Sequence, residues 1–246
     1  MLAIAKKFFW TTYDHLGGLI VLNLVWSALS LPWILVGYGL VGLGANTSDW
    51  GVFVTTFLAV EIVVFAPPTM LLFAAGARWA RGEDIRFETL FKEMRLFAAR
   101  VQLLGLTLVF STLLLSLNIG FYLHLRGWPG LILGSLAIGL LFAVLLMSTY
   151  LFPLLLLQNG RMWYTLRQSF LVALDNIKLS LVLLLVVLLV FVLGFFSVVG
   201  LFSGLLAAVA LLLCICFGQL QSKYTGESLP EEGPRTWREL IRPWGV

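Results

Sequence analysis

One carboxyl interrupts an otherwise apolar run. Glu61 stands among Phe57, Leu58, Val60, Ile62, Val63, Val64 and Phe65. An acid in such a setting can relay protons, hold a cation or a polar solute, or close a hydrogen bond between helices, because an ionisable group in hydrocarbon needs a partner or a proton. Other polar residues recur at helical spacing nearby. Asn23, Ser27 and Ser30 follow each other by four and three, and Thr107, Ser111 and Asn118 share a second face. Pro67 and Pro68 then remove two backbone donors and must break the helix that carries Glu61. Carbonyls near Val63 and Val64 are left seeking partners, and broken helices at membrane depth often line binding sites. The candidate intramembrane polar site is therefore Glu61, Asn23, Ser27 and Ser111, beside the helix break at Pro67 and Pro68. A buried hydrogen bond and a plain structural kink are the alternatives.

The elements that must position these residues are membrane spans. The chain has 246 residues, 61% of them hydrophobic and only 11% charged. Soluble domains carry roughly 25% charged residues. Long apolar runs mark an integral membrane protein. Six runs of sufficient length read as spans at about 16–42, 52–77, 101–123, 130–157, 179–196 and 198–220, with breaks near Pro32 and at Pro67-Pro68, and with Pro153 near the end of the fourth. The fold class expected is an all-α polytopic membrane protein of six transmembrane helices. The first run is too long for a cleaved signal and reads as a retained span. Glu61 lies about nine residues into span two, roughly 14 Å deep. An acid at that depth costs about 2.5–3.5 kcal/mol on insertion scales, and each neighbouring Leu, Ile, Phe or Val returns about 0.3–0.6, so the span still inserts.

Orientation follows from the basic residues. Two lie before span one, six in 78–100, three in 158–178 and four in the tail, leaving Arg126 as the sixteenth. Such asymmetry puts both termini in the cytoplasm. The net charge of +4 thus serves orientation and membrane contact, not nucleic-acid binding. Arg78, Trp79 and Arg81 read as interface anchors at the inner end of span two. Aromatics around Lys6 and Lys7 read the same way.

Two cytoplasmic connections carry amphipathic helices, after spans two and four. Phe87, Leu90, Phe91, Met94 and Phe97 form one apolar stripe; Trp163, Leu166, Phe170, Leu174 and Ile177 form the other. Each lies along the inner face, on lipid, on a partner or on the protein's own surface. Spans two–three and four–five then read as parallel copies of one hairpin, each with proline before the inner end and an amphipathic helix after it. Residues 1–220 form the membrane domain. Residues 221–246 form a polar tail in which Thr236 and Glu239 fit a capping box for a short interfacial helix.

Enzyme signatures are missing from the pattern. His15 and His124 fall on opposite membrane sides, and no nucleophile set, phosphate loop or metal-ligand spacing is legible. Cys214 and Cys216 point roughly 200° apart on a helix and neither pair nor share a metal. No cofactor is expected.

Particular residues also carry a likeness. Asn23-Leu24-Val25-Trp26, Pro67-Pro68-Thr69 leading to Arg78-Trp79-Ala80-Arg81-Gly82-Glu83, Phe91, and Tyr150-Leu151-Phe152-Pro153 resemble the YesL-like family of bacterial membrane proteins of unknown function, over roughly residues 15–185. Ala66-Pro67-Pro68-Thr69 departs from that family's commoner glycine, gap and single proline before threonine. The resemblance implies a multi-span protein of the bacterial inner membrane, encoded beside carbohydrate uptake systems, and no catalytic residues. Its function is then a non-enzymatic accessory or regulator of solute uptake, partnered by the lipid bilayer and a membrane permease. The alternative is a small-solute or ion transporter using Glu61 and the broken second span.

Overall fold

Hydrocarbon leaves the backbone no solvent to bond, so apolar sequence of this length has to fold as helix. A computed structural model of the chain describes residues 2–125, 127–158, 162–196, 204–226 and 230. All secondary structure among them is helical: α1 (Leu2–Asp14), α2 (Leu16–Gly44), α3 (Asp49–Val64), α4 (Thr69–Trp79), α5 (Phe87–His124), α6 (Trp128–Gln158), α7 (Met162–Asp175), α8 (Ile177–Phe196) and α9 (Leu205–Thr225). Among the described residues four helices are long and apolar enough to cross a membrane. The number rises to six if each of two bent pairs, α3 with α4 and α7 with α8, counts as one span. The chain is a membrane protein built of helices.

The prolines act differently from one another. Pro67 and Pro68 end α3, and α4 restarts at an angle of 58°. Pro32 and Pro153 instead lie inside unbroken α2 and α6, which corrects the break expected near Pro32. One missing donor is absorbed within a helix; two in succession are not. The N-terminal aromatic segment, expected only as an anchor, is itself helix α1.

The first connecting helix is not separate either. Its stripe opens α5, a single helix of 38 residues. Leu90, Phe97 and Val101 are buried, and Phe91 and Met94 pack on the core. The alanine-rich stretch Phe97-Ala98-Ala99-Arg100 gives the helix no reason to stop. Residues 87–100 therefore continue the span by about 21 Å. The second connecting helix, α7, is distinct and turns 106° from α8.

At the centre is α4. Every residue from Thr69 to Gly76 is buried, as expected of a helix apolar all round. Gly76 sits against the α9 backbone, where a Cβ would lie 3.0 Å from Leu211 Cα. Phe73 of α4 and Phe65 of the break stack on Phe152 of α6 at 4.6 and 5.2 Å.

The connections sort to two ends. At one end Lys7 Nζ donates to the Pro230 carbonyl at 2.8 Å, Lys223 lies 3.6 Å from Asp175, and Arg81, Leu157, Gln221 and Pro230 line one pocket. The α2–α3 turn lies at the other end, where Trp50 meets Gly120 near the close of α5. Residues 197–203 and 231–246, which include the expected capping box at Thr236, lie outside the described residues. So do Arg126, Arg161 and residues 227–229.

Candidate functional site

Glu61 sits in the last turn of α3 and is 8% exposed. Thr112 of α5, fully buried, donates its hydroxyl to Glu61 Oε1 at 2.8 Å. The other oxygen, Oε2, is buried with no hydrogen-bond partner. Just beyond it the helix unwinds. Phe65 N still bonds the Glu61 carbonyl at 2.9 Å, but Ala66 N reaches back only to Val63 at 3.3 Å, and Thr69 N bonds Ala66 at 3.0 Å. These shorter loops of hydrogen bonding recover part of what the prolines remove.

The expected neighbours of Glu61 divide. Thr107, Ser111 and Asn118 share a face, as their spacing requires, but each is satisfied on its own helix. They donate to Leu103 O, Thr107 O and Leu114 O at 2.9, 2.7 and 2.7 Å. Such back-bonding lets a polar side chain sit in a membrane helix without an interhelical partner. The face that packs carries Leu104, Gly105, Leu108, Thr112, Ser116 and Ile119, all buried. Thr112 lies one residue from Ser111, rotated by about 100°. Its signal was the spacing of Gly105, Thr112 and Ser116, small residues seven and four apart that fall on one helix face, as helix interfaces in membranes prefer.

Asn23 is fully buried and Ser27 half-buried on α2. One turn along from Asn23, the Trp26 indole donates to Thr69 Oγ1 at 3.0 Å. Thr69 opens α4, so Asn23 lies level with α4, on the other side of the break from Glu61. The expected four-residue site is thus split by the break: Glu61 faces α5, and Asn23 belongs to the α2–α4 contact. Two segments that carried the family likeness, Asn23–Trp26 and Pro67–Thr69, meet at this bond.

The three anchors also separate. Trp79 is only 4% exposed. Its ring stacks on His15 at 4.9 Å, and a Cβ on Gly18 would stand 3.0 Å from it. It closes the α1–α2 junction from inside instead of meeting lipid headgroups. Burial there holds the His15 imidazole below its ordinary 6.5, against the opposite pull of Asp14 and Asp84. Arg78 pairs with Glu93 of α5, while its Nη1 is buried without a partner. Arg81 is exposed, donates to Ala77 O at 3.1 Å and lies 3.6 Å from Glu83.

Cys214 and Cys216 are free and buried, and Cys214 Sγ contacts the Phe73 carbonyl at 3.5 Å. Among the described residues no three His, Cys, Asp or Glu side chains group as metal ligands do.

Fold and site together define an all-helical membrane protein with a carboxyl held between two helices, one turn before a broken span. Compared with models of protein families, with curated proteins and with solved structures, the chain matches none.

Proposed function

We propose that the chain is a six-span protein of the bacterial inner membrane, with both termini in the cytoplasm, acting as a non-enzymatic accessory or regulator of solute uptake. The carrying observation is the convergence of α1, the α4–α5 connection, α7 and the end of α9 at one end of the bundle. Together with Arg78 of α4 and the start of α5, those segments carry Lys6, Lys7, Arg78, Arg81, Arg86, Lys92, Arg95, Arg100, Arg167 and Lys223, and the positive-inside rule assigns such an end to the cytoplasm. The α5 extension gives this end a rigid helix whose outer face, Glu88, Lys92, Arg95 and Leu96, is exposed. A permease or regulator would dock there, with carbohydrate uptake suggested by the YesL-like resemblance alone. Recovery of the protein at native expression with a permease, lost when Lys92 and Arg95 are reversed in charge, is the expected result. Recovery with no partner counts against the reading.

The buried Glu61 Oε2 favours a second reading, transport of a small solute or ion by this chain itself. Vesicles containing only this protein would then take up solute, and Glu61→Gln would abolish the uptake. An inactive unsubstituted protein rejects that reading and leaves the first intact.

A further inference from the structure

We infer that α7 is an in-plane helix whose outward face is embedded in the headgroup–acyl boundary of the bilayer, its occupant being lipid and not protein. Three observations carry this. The first is direction. α8 is twenty residues of nearly continuous apolar sequence, and α7 leaves it at 106°. With α8 tilted by about 20°, as membrane helices commonly are, α7 lies close to the membrane plane.

The second observation is which side faces out. Thr165, Leu166, Ser169 and Ala173 are buried against the bundle. Outward stand Trp163 at 78% exposure, Phe170, Leu171 and Leu174, with Tyr164 at the edge. The buried side is small and partly polar, and the exposed side is aromatic and aliphatic. Arg167 is the one charge within that exposed face, and a long cationic side chain there can reach lipid phosphate while its stem stays in the apolar layer. Trp and Tyr favour this layer because one end of each ring is polar.

The third is continuity. Past the corner, Ile177, Val182, Leu185 and Leu189 of α8 are exposed, so the apolar surface of α7 runs into a span surface that needs lipid anyway. The corner is fixed. Ser180 Oγ bonds Tyr150 OH at 2.9 Å and donates toward the Ala173 and Asn176 carbonyls at 3.0 Å each. Asp175, the acid closest to the face, is exposed but is bonded by Tyr224 of α9 and lies beside Lys223.

The test uses the full chain in vesicles of phosphatidylcholine and phosphatidylglycerol. Nitroxides are attached singly at Trp163→Cys, Phe170→Cys and Leu174→Cys; these positions are exposed, and the unmutated protein sets the baseline for buried Cys214 and Cys216. Collisions with dissolved oxygen and with a water-soluble nickel chelate give depth. All three labels are expected about 5–10 Å below the phosphates, shallower than a label at Leu185. Nickel access equal to that of a label at Arg95 overturns the inference, because the face would then meet water or a soluble partner. Depth equal to that of Leu185 also overturns it, by making α7 part of a broken span. Spin–spin broadening that vanishes on dilution with unlabelled protein overturns it in favour of a second copy. A label that prevents folding at one site leaves the other two to decide.

Discussion

Two hairpins, α3/α4 with α5 and α6 with α7/α8, follow one sequence plan and bend in opposite places. In the first, the leading arm breaks by 58° at Pro67-Pro68, and the helix after the connection runs straight into the returning arm. In the second, the leading arm passes through Pro153 unbroken, and the bend of 106° comes after α7. The causes are local. A second proline decides the first bend. The other falls at Asp175-Asn176, where the Asn176 backbone N and its side-chain Nδ2 both bond the Val172 carbonyl, at 3.1 and 3.2 Å; Ala98-Ala99 offers no such side-chain bond. The two apolar stripes separate accordingly. The straight helix lays its stripe on the core; the bent one turns most of its stripe outward. A shared hydrophobic pattern therefore does not fix what the pattern faces.

The largest expected effect tests the leading arms. α4 is enclosed, whereas α6 is mostly exposed over 128–142 and enters the core only from Leu146 to Leu155. Gly76→Leu would drive a side chain into the Leu211 backbone at 3.0 Å, where nothing flexible can yield, at a cost of about 3 kcal/mol or more. Gly139→Leu on α6 meets nothing within 4 Å and should leave stability unchanged. Thermal unfolding of the purified protein in detergent compares them. Equal losses would remove the contrast between an enclosed and a peripheral arm.

Next come the polar pairs. Thr112 is the side chain that hydrogen-bonds the Glu61 carboxyl. Thr112→Ala should cost about 1–3 kcal/mol, because a buried acceptor loses its donor. In the second hairpin Tyr150→Phe should cost less, about 1 kcal/mol, since Ser180 keeps its two carbonyl acceptors. The same unfolding measurement decides; a larger loss for Tyr150→Phe would reverse the ranking.

These contrasts show what the sequence could express. Helical class, membrane character and the break at Pro67-Pro68 were legible, because hydropathy and missing donors act locally. Glu61 was legible as an anomaly for the same reason. Its partner was not, because both Ser111 and Thr112 are small and hydroxylated, and only the packing face tells them apart. The small residues Gly105 and Ser116 marked that face, and the more polar stripe of Thr107, Ser111 and Asn118 hid it. Trp79 misled similarly. A tryptophan beside arginines at a span end fits a headgroup anchor, yet the α1–α2 junction supplies His15 and Gly18 as a closer surface. The orientation of α7 also lay beyond composition, since its buried side includes Thr165 and Ser169 while Trp163 faces out.

The smallest effect sharpens the α7 corner. The Tyr224 hydroxyl donates to Asp175 Oδ2, and Lys223 and Asn176 lie beside the same carboxyl. The Tyr224 bond first, and then the Lys223 charge, hold the Asp175 carboxyl below its ordinary 3.8. A depressed carboxyl value means the ionised form is favoured in the fold. The contribution is complete above the unfolded value near 3.8 and is lost as pH falls through the lower folded value. Between pH 5 and 8 this group should give stability no slope. Tyr224→Phe removes the larger cause, so Asp175 should titrate higher, back toward 3.8, as carboxyl-carbon NMR of selectively labelled protein would register. Because the site is exposed, solvent and salt screen it and the stability change should be slight. A titration unmoved by Tyr224→Phe would mean that the end of α9 does not grip the corner. The bend would then rest on Asn176 and Ser180 alone.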